Sequence, residues 1–225
     1  MLRLTLALFV AASSFTFAQE GAPPPSLLGR VEGNVYVAPS GAFKVTIPVL
    51  PELGGGVSDT DNVVTFQDDF NTHISIAAFA QDATQRWELS SRGLKEYLVY
   101  FFTNFVLSDF KQAFEGVQVE SAKFVPAQFE GSLITNILLP GGSMFSGKVP
   151  TLGSDEKPAV AKRGNLLFVK NGYIFVISVE LAERIIEWRA YKKTVAEEDE
   201  ILRQRLNDVA GRLQFPKPVT TTSAK

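Results

Sequence analysis

The chain has 225 residues, of which 45% are hydrophobic and 20% charged, and its formal net charge at neutral pH is -2. This composition excludes a disordered chain and a collagen-like repeat, and it provides no excess of positive charge for binding nucleic acid. The chain contains one histidine and no cysteine, which excludes thiol nucleophiles and most metal sites built from histidine and cysteine. Its length suits one domain of ordinary size.

Residues 1–18 have the layout of a secretory signal peptide. Arg3 supplies a positive charge, residues 4–17 form an apolar run without charge, and Thr16 and Ala18 are small residues at the positions that precede a cleavage site. The apolar run is shorter than the roughly 20 residues that a membrane-spanning helix requires. We therefore expect cleavage after Ala18, a periplasmic or secreted location, and no membrane span in the processed chain. A retained N-terminal anchor helix is the alternative.

A single domain is expected between two extensions. Residues 19–30 contain three consecutive prolines, which is typical of an extended tether. Residues 217–225 are expected to form a flexible tail. Because residues 31–216 show no break in composition and no internal repeat, they are predicted to form one domain.

The first part of this domain is predicted to contain two pairs of strands. Residues 31–38 and 42–48 are separated by a Pro-Ser-Gly turn, and apolar residues alternate with polar ones in the second segment. Residues 63–67 and 73–80 flank a polar turn, which predicts a hairpin.

A helix is predicted over about residues 94–110, because apolar side chains recur there at intervals of three or four positions. Strand-like segments follow at residues 117–125 and 129–139. The next stretch, residues 140–157, is rich in glycine, proline and serine. It is too long for a simple turn and is expected to be a surface loop.

The strongest hairpin signal is the dipeptide Asn171-Gly172, which separates residues 165–170 from residues 173–180. Both faces of these two predicted strands are apolar. A sheet with one solvated face would instead alternate apolar with polar side chains. We therefore expect this hairpin to lie in the centre of a sheet that is covered on both sides.

A second helix is predicted near the C-terminus. Thr194 and Glu197 have the spacing of a capping box, and an apolar stripe continues to Leu213 before Pro216 ends the helix. Two helices are then available to cover a mainly antiparallel sheet. The predicted fold class is α+β, arranged as a three-layer α/β/α sandwich.

The order of these elements resembles that of PsbP-type sandwiches. The resemblance rests on the opening segment from Tyr36 to Pro48, the mid-chain helix, the hairpin of residues 167–176, and a terminal helix that runs into Leu213-Gln214-Phe215. This family is known from the extrinsic subunit of photosystem II and from exported bacterial proteins. Its domains mostly act as accessory, assembly or binding modules. The resemblance implies such a role here, and no metal ligands or cofactor can be carried over.

The ligand or partner is expected to be a protein or a small molecule of the cell envelope. Loops on a rigid sheet commonly carry function, and one tyrosine of the mid-chain helix lies off its main apolar stripe. The residues predicted to bind are Tyr100, Phe145, Gly147 and Lys148.

Two other functions stay open. One is a hydrolase-type enzyme in which His73 acts as general base, oriented by Asp68 or Asp69, although no nucleophile motif accompanies the histidine. The other is calcium binding at Asp59 and Asp61, although the glycine and the distal glutamate of an EF-hand are missing. Because no nucleophile and base occur together, we prefer a binding module without catalytic activity.

Overall fold

A computed structural model describes residues 27–148, 159–187 and 190–217, with the side chain of Lys148 left out. The predicted signal peptide, most of the predicted tether, the part of the long loop from residue 149 onward and the predicted tail after residue 217 lie outside these ranges.

The strands follow one another from residue 30 to residue 214. They are β1 (Arg30–Glu32), β2 (Val35–Val37), β3 (Lys44–Thr46), β4 (Gly56–Asp59), β5 (Val63–Gln67), β6 (His73–Ala80), β7 (Gln118–Val125), β8 (Ser132–Pro140), β9 (Val160–Lys170), β10 (Tyr173–Glu180) and β11 (Leu213–Gln214). The helices are α1 (Ala83–Arg92), α2 (Leu94–Phe101), α3 (Leu107–Ala113), α4 (Glu183–Ile186) and α5 (Val195–Gly211). A π-helical segment, Phe102–Val106, joins α2 to α3 without a break.

Within the described residues, the strands form two sheets. The larger sheet has seven strands in the order β4-β5-β6-β10-β9-β8-β7, and the smaller has four in the order β1-β2-β3-β11. Each of these strand pairs is antiparallel. The predicted α+β class with a mainly antiparallel sheet is therefore confirmed.

The hairpin of β9 and β10 lies in the middle of the larger sheet. Asn171 and Gly172 both have positive φ, at 51° and 76°, as a tight hairpin turn of this type requires. Ile174 and Val176 belong to the core on one face of the sheet, whereas Phe175 and Ile177 belong to the core on the other. The prediction that this hairpin is apolar on both faces and covered on both sides is confirmed.

One face of the larger sheet is covered by helices, and we call the core beneath them the helical-face core. The predicted helix at residues 94–110 is observed as α2, the π-helical segment and α3, which bury Leu98, Phe101 and Phe110 against the sheet. The preceding α1 was not predicted from the apolar pattern, because most of its side chains are exposed.

The opposite face is covered by α5 together with the smaller sheet. The sandwich therefore has one mixed layer, whereas the sequence predicted a purely helical one. β11 pairs with β3, so α5 ends at Gly211, before the predicted end at Pro216. The predicted strand at residues 31–38 is divided into β1 and β2, because the chain turns at Gly33, where φ is 63°.

The start of α5 is fixed by two sets of contacts. Thr194 and Glu197 form the predicted capping box. Lys162 of β9 is fully buried, and its Nζ lies 3.1 Å from a carboxylate oxygen of Glu198, 2.6 Å from one of Asp199, and close to one of Glu120. Burial alone would lower the pKa of Lys162, but the hydrogen bonds to these carboxylates raise it above its ordinary value. Separating this lysine from a carboxylate partner would leave an uncompensated buried charge, which is strongly destabilising. Because two of the carboxylates belong to α5, these contacts hold α5 in one position on the sheet.

A glycine lets α5 lie close to the sheet. A Cβ atom at Gly164 would lie 3.1 Å from Cβ of Leu202 and 3.2 Å from a side-chain atom of Leu206. Both distances are shorter than ordinary contacts between carbon atoms. Any side chain at this position therefore has to move the helix or its leucines.

We expect the substitution Gly164→Ala to lower the free energy of unfolding by about 1–3 kcal/mol, because it overpacks the contact between β9 and α5. Gly147→Ala is the matched control, since a Cβ atom at Gly147 meets nothing within 4 Å. The control should change stability by no more than about 0.5 kcal/mol. Urea denaturation followed by circular dichroism measures both values. Equal stabilities of the two variants would contradict the close packing of α5.

Candidate functional site

His73 is buried at the start of β6, and its Nδ1 has no hydrogen-bond partner. Burial lowers the pKa of His73 well below its ordinary value, and the positive charge of Arg163 lowers it further. Asp68 accepts hydrogen bonds from the backbone N–H groups of residues 70–72, each at 2.9 Å, and so closes the turn between β5 and β6. Among the described residues, no hydrogen bond joins His73 to Asp68 or Asp69. The hydrolase interpretation stays a prediction without the contact that it requires.

The carboxylate of Asp59 forms hydrogen bonds within the fold. Its carboxylate accepts hydrogen bonds from the backbone N–H groups of Leu28 and Gly29, at 2.9 and 2.7 Å, and from the hydroxyl of Tyr36 at 2.7 Å. Burial, together with this hydrogen bond and the charge of Asp59, raises the pKa of Tyr36. Asp61 is exposed. Across the described ranges, no group of three or more histidine, cysteine, aspartate or glutamate residues is placed to hold a metal ion.

The four residues predicted to bind a ligand do not form one described site. Phe145 is only 3% exposed and belongs to the helical-face core. Its role in binding stays a prediction. The loop is drawn inward because Glu180 accepts hydrogen bonds from the hydroxyl of Ser143 and the backbone N–H of Met144. Gly147 is exposed in a 3-10 turn.

Tyr100, the helical residue of this prediction, lies half-buried near the end of α2. The guanidinium of Arg92 lies 4.5 Å from the centre of its ring, and the ring of Phe105 contacts it edge-on at 6.0 Å. These two neighbours occupy one face and one edge of the ring. A role of Tyr100 in binding stays a prediction.

A separate groove of about 1010 Å³ lies between the β7–β8 hairpin and the C-terminal half of α5. One wall is formed by residues 123–129, at the end of β7 and in the following turn. The other wall is formed by residues of α5 and by Leu213 and Phe215 beyond it. The volume is that of a site for a group of substantial size.

The floor of the groove is aromatic and rigid. The ring of Phe129 stacks on that of Phe168 in β9, with centres 3.9 Å apart, and Phe168 stacks in turn on Phe175 in β10. Phe215 contacts Phe129 and Phe168 edge-on, at 6.3 and 6.1 Å. Because Phe168 and Phe175 are fully buried in the central hairpin, they hold the exposed part of the floor in one place.

The backbone at the hairpin turn adopts a conformation that non-glycine residues seldom take. Phe129 and the following Glu130 have φ of 53° and 65°. Such a conformation carries a cost of about 1 kcal/mol or more for each residue. The stacking of Phe129 on Phe168 offsets part of this cost. The strained turn thus places an aromatic ring in the floor of the groove.

The rim of the groove is positively charged. Lys123 lies on the hairpin wall and Arg203 on the α5 wall, and the described lining residues include no carboxylate. Arg203 also bonds to Glu200 on its own helix, at 2.8 Å. Gln128 donates a hydrogen bond of 2.9 Å to Asn207 and so connects the hairpin to α5. This arrangement suits an apolar group that carries negative charge, and it offers no nucleophile beside a base.

Sequence reasoning missed this groove because its residues come from separate parts of the chain. Residues 123–129, residue 134 and residues 203–215 meet only when α5 lies against the sheet. The single local signal was the aromatic residue at each end of the set, Phe124 and Phe215.

The buried position of His73 predicts a dependence of stability on pH. Because its pKa is lower in the folded chain than the ordinary value of 6.5, the unfolded chain binds the proton first as the pH falls. The free energy of unfolding should therefore fall below about pH 6.5, by up to about 1.4 kcal/mol per pH unit. Arg163, which is bonded to Glu180 at 3.0 Å, also disfavours the protonated imidazole.

Urea denaturation between pH 7 and pH 5.5 tests this expectation in the wild type and in His73→Gln. The carboxylates titrate alike in both proteins, so the difference between the two slopes isolates the histidine. A steeper fall in the wild type is expected. Identical slopes would show that the imidazole is protonated as easily in the folded chain as in the unfolded chain.

The comparisons with known proteins concern the fold. No family model and no curated protein matches the chain, but solved structures do. The chain is similar to cyanobacterial PsbP (CyanoP) from Synechocystis, with 13% identity, a TM-score of 0.49, and coverage of 84% of this chain and 99% of that one. It is also similar to the Ran-binding protein Mog1p of Saccharomyces cerevisiae, with 11% identity, a TM-score of 0.47, and coverage of 84% and 96%.

A third similar structure comes from Bacteroides thetaiotaomicron, with 12% identity and a TM-score of 0.41 over 83% of this chain. The present chain spans 50% of the length of that protein. None of the helices in the described ranges has the length and apolar character needed to cross a membrane. A structure of the PsbP family, which the sequence resembles, is thus among the similar structures.

Proposed function

We propose that this chain is an exported binding module without catalytic activity, and that the groove between β7 and α5 holds an acidic and partly apolar segment of a partner protein. The observation that carries the proposal is the combination of an immobilised aromatic floor with a cationic rim. Aromatic anchors on a rigid support provide most of the binding energy in many protein interfaces. Complementary charge selects the partner and speeds its association.

Two features support a protein segment as the occupant. The groove is open to solvent, with the hairpin on one side and the helix on the other. Its polar lining groups come from both walls, Lys123 and Gln128 from the hairpin side and Arg203 and Asn207 from α5, and Gln128 is bonded to Asn207 across the groove. A small molecule is usually held by a few polar groups that converge within an enclosed pocket. A longer chain can instead use the whole rim.

Export is part of the proposal because of the signal-like pattern of residues 1–18. The chain recovered from the cell envelope should begin at Gln19, which mass spectrometry of its N-terminal peptide measures. In the variant Ala18→Arg, the residue before the cut is no longer small, and the processed form should be lost. Recovery of wild-type chains that retain Met1 would contradict export by cleavage.

Site-specific photo-crosslinking in intact cells tests the groove. A photoreactive residue at Asn207 should form an adduct with a partner protein, and the same residue at Lys95 on α2, on the helical side of the sheet, should not. The double variant Lys123→Glu with Arg203→Gln should reduce the adduct by about tenfold or more, because it reverses one rim charge and removes the other.

Lys95→Glu is the control for the double variant, because Lys95 is exposed and has no part in the groove. The melting temperatures of both variants show whether the chain stays folded. Equal adduct yields from wild type and double variant would remove the groove from the proposed function. An adduct with a small molecule, detected by native mass spectrometry, would replace the protein partner.

A further inference from the structure

The groove adjoins a strand whose outer edge is unpaired in the described residues. β7 is the last strand of the larger sheet and, among the strands that the structure describes, pairs only with β8. Its side chains are exposed or half-buried along the whole strand. The outward backbone N–H and C=O groups of such a strand form a template for another strand.

The edge is regular only next to the groove. A bulge between Val119 and Ser121 interrupts the pairing of β7 with β8, and after it the register runs without a break from Ser121 to Val125. This regular stretch of five residues extends about 17 Å. It ends at Pro126, which has no N–H group to donate. An added strand therefore has one place to pair, directly beside the groove.

The side chains of β7 alternate between the two faces of the sheet, and one of these faces borders the groove. Lys123 is opposite Ile134, and both line the groove, as does Val125 two positions further on. Phe124, between them, also borders the groove, but its ring packs against the helical-face core on the other face of the sheet. A strand paired with β7 would follow the same alternation, so that every second side chain lies beside the groove.

The opposite edge of the sheet is arranged differently. β4 ends at Asp59, whose carboxylate binds the backbone of Leu28 and Gly29 and the hydroxyl of Tyr36. The N-terminal segment is thereby held against the end of β4. At β7, no described segment takes the corresponding position.

We propose that the partner segment binds as an extended strand that pairs with Ser121–Val125, with an acidic side chain near Lys123 and Arg203 and apolar side chains at neighbouring alternate positions over Phe129 and Phe215. This inference rests on the proposed function of the groove and names the conformation of its ligand. Backbone pairing supplies affinity, and the groove selects the side chains. A helix in the same groove would form no ladder of backbone hydrogen bonds with β7.

The experiment begins with a displayed library of random linear peptides, selected for binding to the full chain. Peptides are kept when the double variant Lys123→Glu with Arg203→Gln no longer binds them. Each is then resynthesised with one backbone amide methylated at a time, which removes one N–H donor. Methylation at every second residue should weaken binding by about tenfold or more, and methylation at the residues between should have little effect.

Amide hydrogen exchange of the chain gives a second readout. A bound peptide should protect alternate amides in the stretch 121–125, and the amides of β4 at the far edge are the internal control. Uniform sensitivity to methylation, or unchanged exchange in β7, would overturn strand addition while leaving the groove as a binding site. Failure to recover any peptide that depends on Lys123 and Arg203 would overturn both proposals.

Discussion

The central constraint of this structure is that the β9–β10 hairpin is apolar on both faces. Ile174 and Val176 require a cover on one side, and Phe175 and Ile177 require another on the opposite side. The helices from α1 to α3 meet the first requirement, and α5 with the smaller sheet meets the second. Among the described residues, the outer strand β7 has one unpaired edge, and the groove lies between the end of this strand and α5. The candidate site is thus located where the covering layer of α5 meets the last strand of the sheet.

Sequence reasoning succeeded where the information is local. The turn at Asn171-Gly172 and the capping box of Thr194 and Glu197 each depend on residues that are neighbours in the chain. It missed the smaller sheet, whose strands have only two or three residues and depend on pairing between β3 and β11. It could not foresee that Phe145, one of the predicted binding residues, is buried in a loop that Glu180 holds inward. The groove was out of reach for the same reason, since it exists only after distant segments meet.

Buried ion pairs fix how parts of the apolar sandwich are positioned against one another. Lys162, surrounded by carboxylates, fixes the start of α5, and Arg163, one residue later on the opposite face, binds Glu180 at 3.0 Å. Lys162 thereby holds α5 against the sheet, whereas the pair of Arg163 and Glu180 joins two neighbouring strands within the sheet. An apolar contact tolerates sliding, whereas a buried charge that loses its partner is strongly destabilising. Because one wall of the groove is formed by α5, the position of that wall depends on the contacts of Lys162.

The smaller sheet has a consequence for the order in which the chain acquires its structure. Three of its strands come from residues 30–46, and the fourth comes from residues 213–214, at the other end of the domain. Contacts between such distant residues form late and slow the folding of a chain. The mixed layer cannot close until residues 213–214 have been synthesised, because β11 pairs with β3. Until then β1, β2 and β3 lack the strand that completes their sheet.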